Sequence, residues 1–347
     1  MKSLIAITMG DPAGIGSEIC VKVLSKKEVY EKCKLLVIGD AQCIKDAMKF
    51  TGNNNLKVNI INSLEEGKYV FGTIDVLDLH NIDMHKLEYG EVSAMCGKAA
   101  GEYIQKATEL AMSGEVDAIV TSPIHKESFK LGGYGNKYAG HTEMLADLTN
   151  TKKYSMMLAH GNLRTAHVTT HVSLRQACDL IKKERVLDVI KIAHDACKSL
   201  GIKNPKIGVA GLNPHAGDGG LFGDEEIREI IPAIEEAKSR GYNVDGPIPP
   251  DSLYSKVMGK WYDIAVSMYH DQGHIPLKFA GFIWDEKIKN WSSVSGVNVT
   301  LGLPVTRVSV DHGTAFGKAG KGTATEESLL NAIDYALEFA RNKPKKD

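Results

Sequence analysis

The chain has 347 residues, of which 43% are hydrophobic and 24% charged, and its formal net charge at pH 7 is -1. This composition is typical of a globular protein long enough for about two domains with substantial cores. A nearly neutral chain has no basic field for non-specific nucleic-acid binding, so nucleic acid is excluded from the expected partners.

Membrane and disulfide signals are both missing from the sequence. The longest apolar runs are shorter than the roughly 18 residues that a membrane span requires, and the run near the N-terminus is too short for a signal sequence. We therefore expect a cytoplasmic protein with no membrane partner. The 6 cysteines form no CxxC pair, which favours free buried thiols over disulfides or a zinc ribbon.

Short β-rich runs alternate with longer segments of helical periodicity along the chain. The predicted strands cover residues 4–8, 35–39, 58–61, 74–77, 118–121, 155–158, 206–210, 263–268 and 306–310. Apolar residues at three- and four-residue spacing predict amphipathic helices at 92–113, 176–200, 225–240 and 326–342. This alternation predicts an α/β fold.

No linker marks a domain boundary, so we expect one domain to be discontinuous in sequence. The chain is expected to leave the first α/β domain near Pro123 and to return to it near Gly296. The first domain then contains residues 1–123 and 296–347, and the second α/β domain contains residues 124–295.

Polar residues follow several of the predicted strands. They are His125, His171, 213–215, His270 and 311–312. In open α/β sheets the ligand crevice lies outside the carboxyl ends of the strands. One cleft can therefore collect residues that are far apart in sequence.

Three histidines of this group, His171, His215 and His270, are flanked by turn or polar residues. Neutral imidazole is the commonest side-chain ligand for divalent transition metals, and three protein ligands with an open position are typical of a catalytic site. A histidine is also often a hydrogen-bonded structural residue. The spacing alone does not separate these two interpretations.

The usual glycine-rich nucleotide motifs are not found in this sequence. No GxGxxG follows a strand, and Gly320-Lys321 is followed by Gly322 instead of Ser or Thr, so neither the Rossmann fingerprint nor the P-loop occurs. The glycine-rich segment 10–16 can hold an anion on backbone N–H groups at a helix start. It can equally be a tight strand-to-helix turn with Ser17 near the cap.

A set of short motifs runs essentially from end to end of the chain. They are GDPAGIG from residue 10, TSPIHK from 121, GHTE from 140, TH from 170, NPHAG from 213, GPIPPDS from 246, YHDQG from 269 and GVNVTLGLP from 296. Together they resemble the 4-hydroxythreonine-4-phosphate dehydrogenase family of pyridoxal phosphate biosynthesis. That family is similar in fold to isocitrate and isopropylmalate dehydrogenases, which implies two α/β/α domains with an active-site cleft between them.

The resemblance also implies roles for particular residues. The ligands of a divalent metal (Zn, Mg, Mn or Co) would be His171, His215 and His270 in the second domain. The substrate contacts would be His141, Thr142, Lys278, Asn298 and Arg307. The adenosine half of NAD would lie on a loop containing Asp311, His312, Gly313, Thr314 and Ala315, together with 319–322. Alternatively, Arg307 forms an edge-strand ion pair and Lys278 is a surface lysine.

The implied reaction is metal-assisted oxidation of the secondary alcohol of 4-phosphooxy-L-threonine by NAD. Decarboxylation of the resulting β-keto acid gives 3-amino-2-oxopropyl phosphate. Candidate proton carriers are Asp271, Asp251 and Lys278, which the sequence does not rank. The family resemblance also implies a homodimer with active sites shared between the two copies.

Two departures from the family pattern affect the expected substrate. Residues 283–295 replace a much shorter turn between Lys278 and Asn298, and His274 stands where the biosynthetic enzymes usually carry an apolar residue. Gln-Gly-His-Ile-Pro resembles the paralogous branch that acts on D-threonate or D-erythronate 4-phosphate. Besides these two dehydrogenase hypotheses, a non-catalytic protein that binds a phosphorylated ligand is a third.

Overall fold

The computed structural model describes residues 2–286 and 289–342. Along the first part of the chain the elements are β1 (Leu4–Thr8), α1 (Gly16–Leu24), α2 (Lys27–Lys32), β2 (Lys34–Gly39), α3 (Ala41–Phe50), β3 (Lys57–Ile61), β4 (Thr73–Asp78), α4 (Ala94–Ser113), β5 (Ala118–Thr121), α5 (Lys126–Leu131) and α6 (His141–Leu148). The next elements are β6 (Ser155–His160), β7 (Leu163–His167), α7 (Leu174–Leu180), α8 (Lys183–Ser199), β8 (Ile207–Ala210), α9 (Ile231–Ser239), β9 (Val244–Ile248), α10 (Pro250–Met258), β10 (Ile264–Ser267) and α11 (His270–Gly281). The last are β11 (Phe282–Asp285), β12 (Asn290–Val294), β13 (Val297–Leu301), β14 (Arg307–Val310) and α12 (Glu327–Arg341).

The chain divides into two compact units. The first contains Met1–Lys152 and Leu303–Arg341, and the second contains Lys153–Gly302 and Asn342–Asp347. The units therefore change after residues 152, 302 and 341, whereas the sequence led us to expect changes near 123 and 296. Helices α5 and α6 contact α4, which accounts for the assignment of the stretch after β5 to the first unit.

The first unit is a parallel sheet with the strand order β3-β4-β2-β1-β5-β14. Its central strands are runs of fully buried apolar residues such as Ile5, Ile7 and Ile38. Such runs are expected where helices cover both faces of a parallel sheet. Because β1, β5 and β14 are neighbours and parallel, the segments that follow them begin at the same edge of this sheet.

The second unit has the strand order β13-β6-β7-β10-β8-β9. Strands β7, β10, β8 and β9 are parallel, whereas β6 is antiparallel to both of its neighbours. Its core contains Leu158, Ala265, Leu277 and Tyr254. The three parallel strands β7, β10 and β8 form the part of the sheet whose carboxyl ends carry the predicted metal ligands.

The α/β class predicted from the sequence is confirmed, and every predicted strand is present: β1 and β5 have the predicted bounds, and the other seven are shifted by one or two residues at their ends. Strands β7, β9, β11, β12 and β13 were not predicted. The sequences of β7 and β9, LRTAH and VDGPI, contain charged or turn-forming residues. The helix predicted at 176–200 is two helices. Ile181 and Lys182 adopt extended backbone angles between α7 and α8.

The segment 283–295 forms most of an antiparallel hairpin built from β11 and β12, with the Cα of Trp284 opposite that of Trp291. Ile283 and Trp284 are exposed. At the base of the hairpin, the Ser295 hydroxyl lies 2.8 Å from His160 Nδ1. Residues 287 and 288 of this segment, and the chain end 343–347, lie outside the described residues.

In the described part of the chain, no helix combines the length and the apolar character that a membrane crossing requires.

Candidate active site

The predicted metal ligands follow three neighbouring strands of the second unit. His171 comes shortly after β7, His270 begins α11 directly after β10, and His215 comes shortly after β8. The strands are parallel and occur in the order β7-β10-β8. Neighbouring strands lie about 4.8 Å apart, so the fold brings these residues to one edge of one sheet.

His171 and His270 share a cavity. Their ring centroids are 5.8 Å apart, and the cavity has a volume of about 320 Å³. Its lining also includes Thr170, Tyr269 and Asp271, with the apolar side chains of Val172, Leu174 and Ala177. A space of this size suits a small ligand.

The His270 ring is held on two sides. Its Nδ1 lies 2.6 Å from Oδ1 of the exposed Asp271, and its ring stacks on that of His274 with centroids 3.5 Å apart. Nδ1 of His274 lies 2.8 Å from the His270 carbonyl oxygen. A carboxylate on one ring nitrogen leaves the other available to a metal, which is the usual arrangement around ligating histidines. The ring of His270, with Nδ1 beside a carboxylate, therefore fits the role of a ligand to a divalent metal.

A further histidine, His167, lies beneath this site and was not among the predicted site residues. It is fully buried, and its ring centroid is 4.9 Å from that of His274. Burial lowers the pKa of His167 to about 4 and that of His274 to about 3. Both rings are therefore neutral at physiological pH.

His215 lies on a left-handed turn, with its ring centroid 6.2 Å from the ring of Phe222. Within residues 2–286 and 289–342, only Asp40, Asp78 and His80 bring three possible ligand atoms within 4.8 Å of one another. The carboxylates of Asp40 and Asp78 accept backbone N–H bonds around the start of α3, which gives them a structural role. The assignment of His171, His215 and His270 as one metal site stays a prediction.

Arg307 in β14 of the first unit is 3% exposed. Its Nη2 and Nε donate to the Thr121 hydroxyl at 2.7 and 3.2 Å. Burial lowers the pKa of Arg307 to about 9, against an opposing effect of the negative charge on Glu143. The guanidinium remains charged at neutral pH, so an anionic ligand would offset part of the cost of burying it.

His141, the first residue of α6, lies in the same part of the first unit. Burial and the positive charge of Arg307 hold the pKa of His141 well below its usual range. No protein atom of the described residues bonds its buried Nε2. A neutral ring beside a buried cation, with one nitrogen left for a ligand, is consistent with the predicted substrate contact. Thr142 follows it in the first turn of α6.

The remaining predicted substrate and proton-carrying residues belong to the second unit. Lys278 lies in α11 with its Nζ 4.3 Å from the ring centroid of Phe282, and Asn298 lies in β13. Asp251 is exposed in the first turn of α10. Asp271 is in the first turn of α11, beside His270.

The predicted cofactor loop, Asp311 to Ala315, follows β14 directly and packs against the glycine-rich turn after β1. The Ile15 N–H donates to the Thr314 carbonyl at 3.1 Å, and a Cβ at Gly14 would lie 3.0 Å from the Thr314 Cβ. The Asp311 N–H donates to the Ser328 hydroxyl at 3.1 Å. Close packing against this loop explains the glycine at position 14.

Glu18 in the first turn of α1 binds the second glycine-rich segment of the predicted cofactor site, residues 319–322. It is 1% exposed, and its Oε1 accepts the Gly320 N–H at 2.6 Å. Burial raises the pKa of Glu18, and the N–H groups of Gly320, Gly322 and Lys321 oppose that shift. Helix α1 has Ile15 as its N-cap and no side-chain cap, and both interpretations of residues 10–16, the anion site and the tight turn, stay predictions.

Comparisons with known proteins place this chain in a class of enzymes. The family model described as pyridoxal phosphate biosynthetic protein PdxA matches residues 31–336. A Clostridium botulinum (strain Hall) protein named "Putative D-threonate 4-phosphate dehydrogenase" is 50% identical over 339 residues, which cover 98% of this chain and 97% of that protein.

Solved structures of 4-hydroxythreonine-4-phosphate dehydrogenases are similar over nearly the whole chain. The enzyme from Burkholderia phymatum is 45% identical with a TM-score of 0.83, and the alignment covers 98% of each chain. The enzyme from Klebsiella pneumoniae is 42% identical with a TM-score of 0.85 and the same coverage. The fold and the sequence thus define a dehydrogenase. The chain belongs to the PdxA family.

Proposed function

We propose that this dehydrogenase oxidises the secondary alcohol of D-threonate 4-phosphate in a reaction that depends on NAD and a divalent metal. The observation that carries the proposal is the position of His171, His270 and His215 at the carboxyl ends of three neighbouring parallel strands. The name of the 50% identical relative supports the substrate.

When bound, the metal would lower the pKa of the substrate hydroxyl and NAD would accept the hydride. The side chains of His171, His215 and His270 would hold the metal, and Asp271 would keep Nε2 of His270 available by occupying Nδ1. Oxidation at C3 yields a β-keto acid, whose loss of carbon dioxide leaves a three-carbon keto phosphate.

In this proposal the charged groups of the substrate are bound by polar and charged side chains. The buried Arg307, with its planar array of donors, suits a phosphate or carboxylate. His141, Thr142, Lys278 and Asn298 are further proposed contacts. The loop from Asp311 to Ala315 is the proposed site of the adenosine half of NAD.

The deciding experiment tests the purified protein with a panel of 4-phosphorylated four-carbon acids as substrates. The reduction of NAD is measured by the absorbance of NADH. D-Threonate 4-phosphate is expected to give the highest kcat/KM, with release of one carbon dioxide per NADH. A chelator should abolish turnover, and a divalent metal should restore it. Turnover that persists without metal would contradict the metal assignment, and NADP in place of NAD tests the cofactor preference.

The second candidate substrate is 4-phosphooxy-L-threonine, which is favoured by the similarity to 4-hydroxythreonine-4-phosphate dehydrogenases. It differs from D-threonate 4-phosphate by carrying an ammonium group at C2. A buried ammonium requires an anionic or carbonyl partner that a hydroxyl does not. A higher kcat/KM for the amino acid in the same panel would replace the first candidate with the second.

A homodimer is part of the proposal. The family resemblance implies that two copies share each metal site, so a single chain would hold an incomplete ligand set. Sedimentation of the purified protein is expected to give twice the mass of the chain. Two inactive variants, each with a different metal-binding histidine replaced, can be mixed. If the two copies share each metal site, the mixture should regain some activity.

The hairpin formed by β11 and β12 is expected to affect substrate choice. Its first residue, Phe282, lies under the Lys278 ammonium, and Ser295 fixes its base to His160. Replacement of residues 284–293 by a short Gly-containing turn should change the ratio of kcat/KM for D-erythronate 4-phosphate and 4-phosphooxy-L-threonine. Phe282 and Ser295 stay in place, so metal content should not change.

The matched control for the hairpin is His274→Leu, which leaves the hairpin intact. An unchanged ratio after removal of the hairpin would contradict its role. A changed ratio in His274→Leu alone would assign the selectivity to that histidine.

A further inference from the structure

The turn that carries His215 has an unusual backbone. His215, Ala216, Gly217, Asp218 and Gly219 all have positive φ, between 43° and 82°. Left-handed backbone is unfavourable for residues with a Cβ, and only glycine adopts it freely. A run of this kind persists only when the surrounding structure holds it in place.

A buried carboxylate lies on the inner side of this turn. Glu226, at the start of the π-helical turn Glu226–Ile230, is 1% exposed. Its Oε1 accepts the N–H groups of Leu212 and Asn213, both at 2.7 Å, and its Oε2 accepts the Asn213 side-chain amide at 2.9 Å. These bonds fix the residues immediately before the turn.

The same carboxylate also shapes the turn by close packing. A Cβ at Gly217 would lie 2.8 Å from Glu226 Oε2, and a Cβ at Gly211 would lie 3.1 Å from Glu226 Oε1 and 2.7 Å from the Ala216 Cα. The chain therefore folds around the carboxylate with glycine at the points of closest approach. Hydrogen bonds to a charged acceptor are stronger than those to a neutral one, which suits Glu226 to this role.

We infer that Glu226 is a positioning residue: its carboxylate holds the left-handed turn and so fixes the direction in which His215 is presented. This inference rests on the proposed role of His215 as a metal ligand. Glu226 does not contact the metal in this scheme. It acts through the backbone, as groups that support ligating residues do, and changing such groups typically lowers metal affinity about 10- to 100-fold.

The test is Glu226→Gln, which keeps the size of the side chain but replaces one acceptor oxygen by a donor. Metal-free protein is titrated with Co²⁺ and followed by visible absorption. Hydrogen exchange of the amides of Leu212 and Asn213 is measured on the same metal-free sample. The expected result is a Co²⁺ dissociation constant about 10- to 100-fold higher and faster exchange at these two amides.

The matched control is Glu229→Gln in the same π-helical segment, because Glu229 binds Lys182 and the Lys183 N–H instead of the turn. Its Co²⁺ affinity and exchange near Leu212 should equal those of the wild type. An unchanged Co²⁺ affinity in Glu226→Gln, or an equal loss in Glu229→Gln, overturns the inference.

Two further measurements test the role of Glu226 if the first variant does not fold or if the proposed function is wrong. If Glu226→Gln does not fold, Gly217→Ala tests the same contact from the other side, and it should weaken Co²⁺ binding in the same direction. If the wild type binds no Co²⁺, the metal assignment of the proposed function fails. The exchange of Leu212 and Asn213 in metal-free protein then decides the role of Glu226 alone.

Discussion

Replacement of His215 by alanine is expected to abolish metal binding and reduce turnover to background while the protein stays folded. The proposed site has three protein ligands, and two imidazoles hold a divalent ion far more weakly than three. His215 is exposed, so loss of its ring should change the free energy of unfolding by no more than about 0.5 kcal/mol. Metal analysis, NAD reduction and thermal unfolding measure these three effects.

The control for this variant is His194→Ala. His194 is another histidine of the second unit, where it contacts Asp195 and Tyr242, and its loss should leave metal content unchanged. A His215→Ala protein with a full complement of divalent ion and ordinary turnover would show that the three-histidine assignment is wrong. Loss of the folded state in His215→Ala would instead assign the residue a structural role.

The sequence predicted β8 and β10, two of the three strands that position the site, because their apolar runs are short and bounded by turn residues. It placed His171, His215 and His270 after predicted strands, but the strand that His171 follows is β7, which was not predicted. The order β7-β10-β8 explains why such distant residues reach one sheet edge. The order itself was not predictable. Strand neighbours are chosen by packing between elements remote in sequence, and β7 lacks the apolar alternation that would have revealed it.

The sequence did not reveal the buried residues that hold other residues in position. Glu18, Thr121 and Glu226 are buried polar residues whose importance comes from partners far along the chain or from backbone N–H groups. A local pattern contains no information on such partners. One signal was present: Asn-Pro-His-Ala-Gly-Asp-Gly-Gly is rich in the residues that tolerate left-handed backbone, which indicates a specialised turn at His215.

His274, which the sequence analysis noted as a departure from the family pattern, stacks on His270 in the structure. It lies four residues after His270 in α11, so the two rings share a helix face and stack. This helix was not predicted from the sequence, and its segment contains Gly273 and Pro276, which have low helix propensity. The helix forms nonetheless, and a Cβ at position 273 would lie 2.4 Å from His167 Nε2. Tertiary packing, which overrides propensity, thus explains that glycine.

Replacement of Arg307 by lysine is expected to lower kcat/KM for the phosphorylated substrate about 10- to 150-fold. The substitution keeps the positive charge but removes the planar donor array, so it loses hydrogen bonding to a charged group worth about 1.5–3 kcal/mol. The ammonium also cannot reproduce the two bonds to Thr121. Steady-state kinetics of NAD reduction measures the effect.

Inorganic phosphate provides a second readout for Arg307 that does not depend on catalysis. A buried guanidinium whose pKa is lowered by burial to about 9 should be stabilised by an anion that binds beside it. Phosphate is therefore expected to raise the Tm of the wild type more than that of Arg307→Lys.

The control is Arg185→Lys, since Arg185 donates to the carbonyl oxygens of Val168 and Tyr154 and has a structural role. That variant should unfold at a lower temperature yet keep the response to phosphate. Equal responses of wild type and Arg307→Lys, with unchanged kcat/KM, would remove Arg307 from the substrate site.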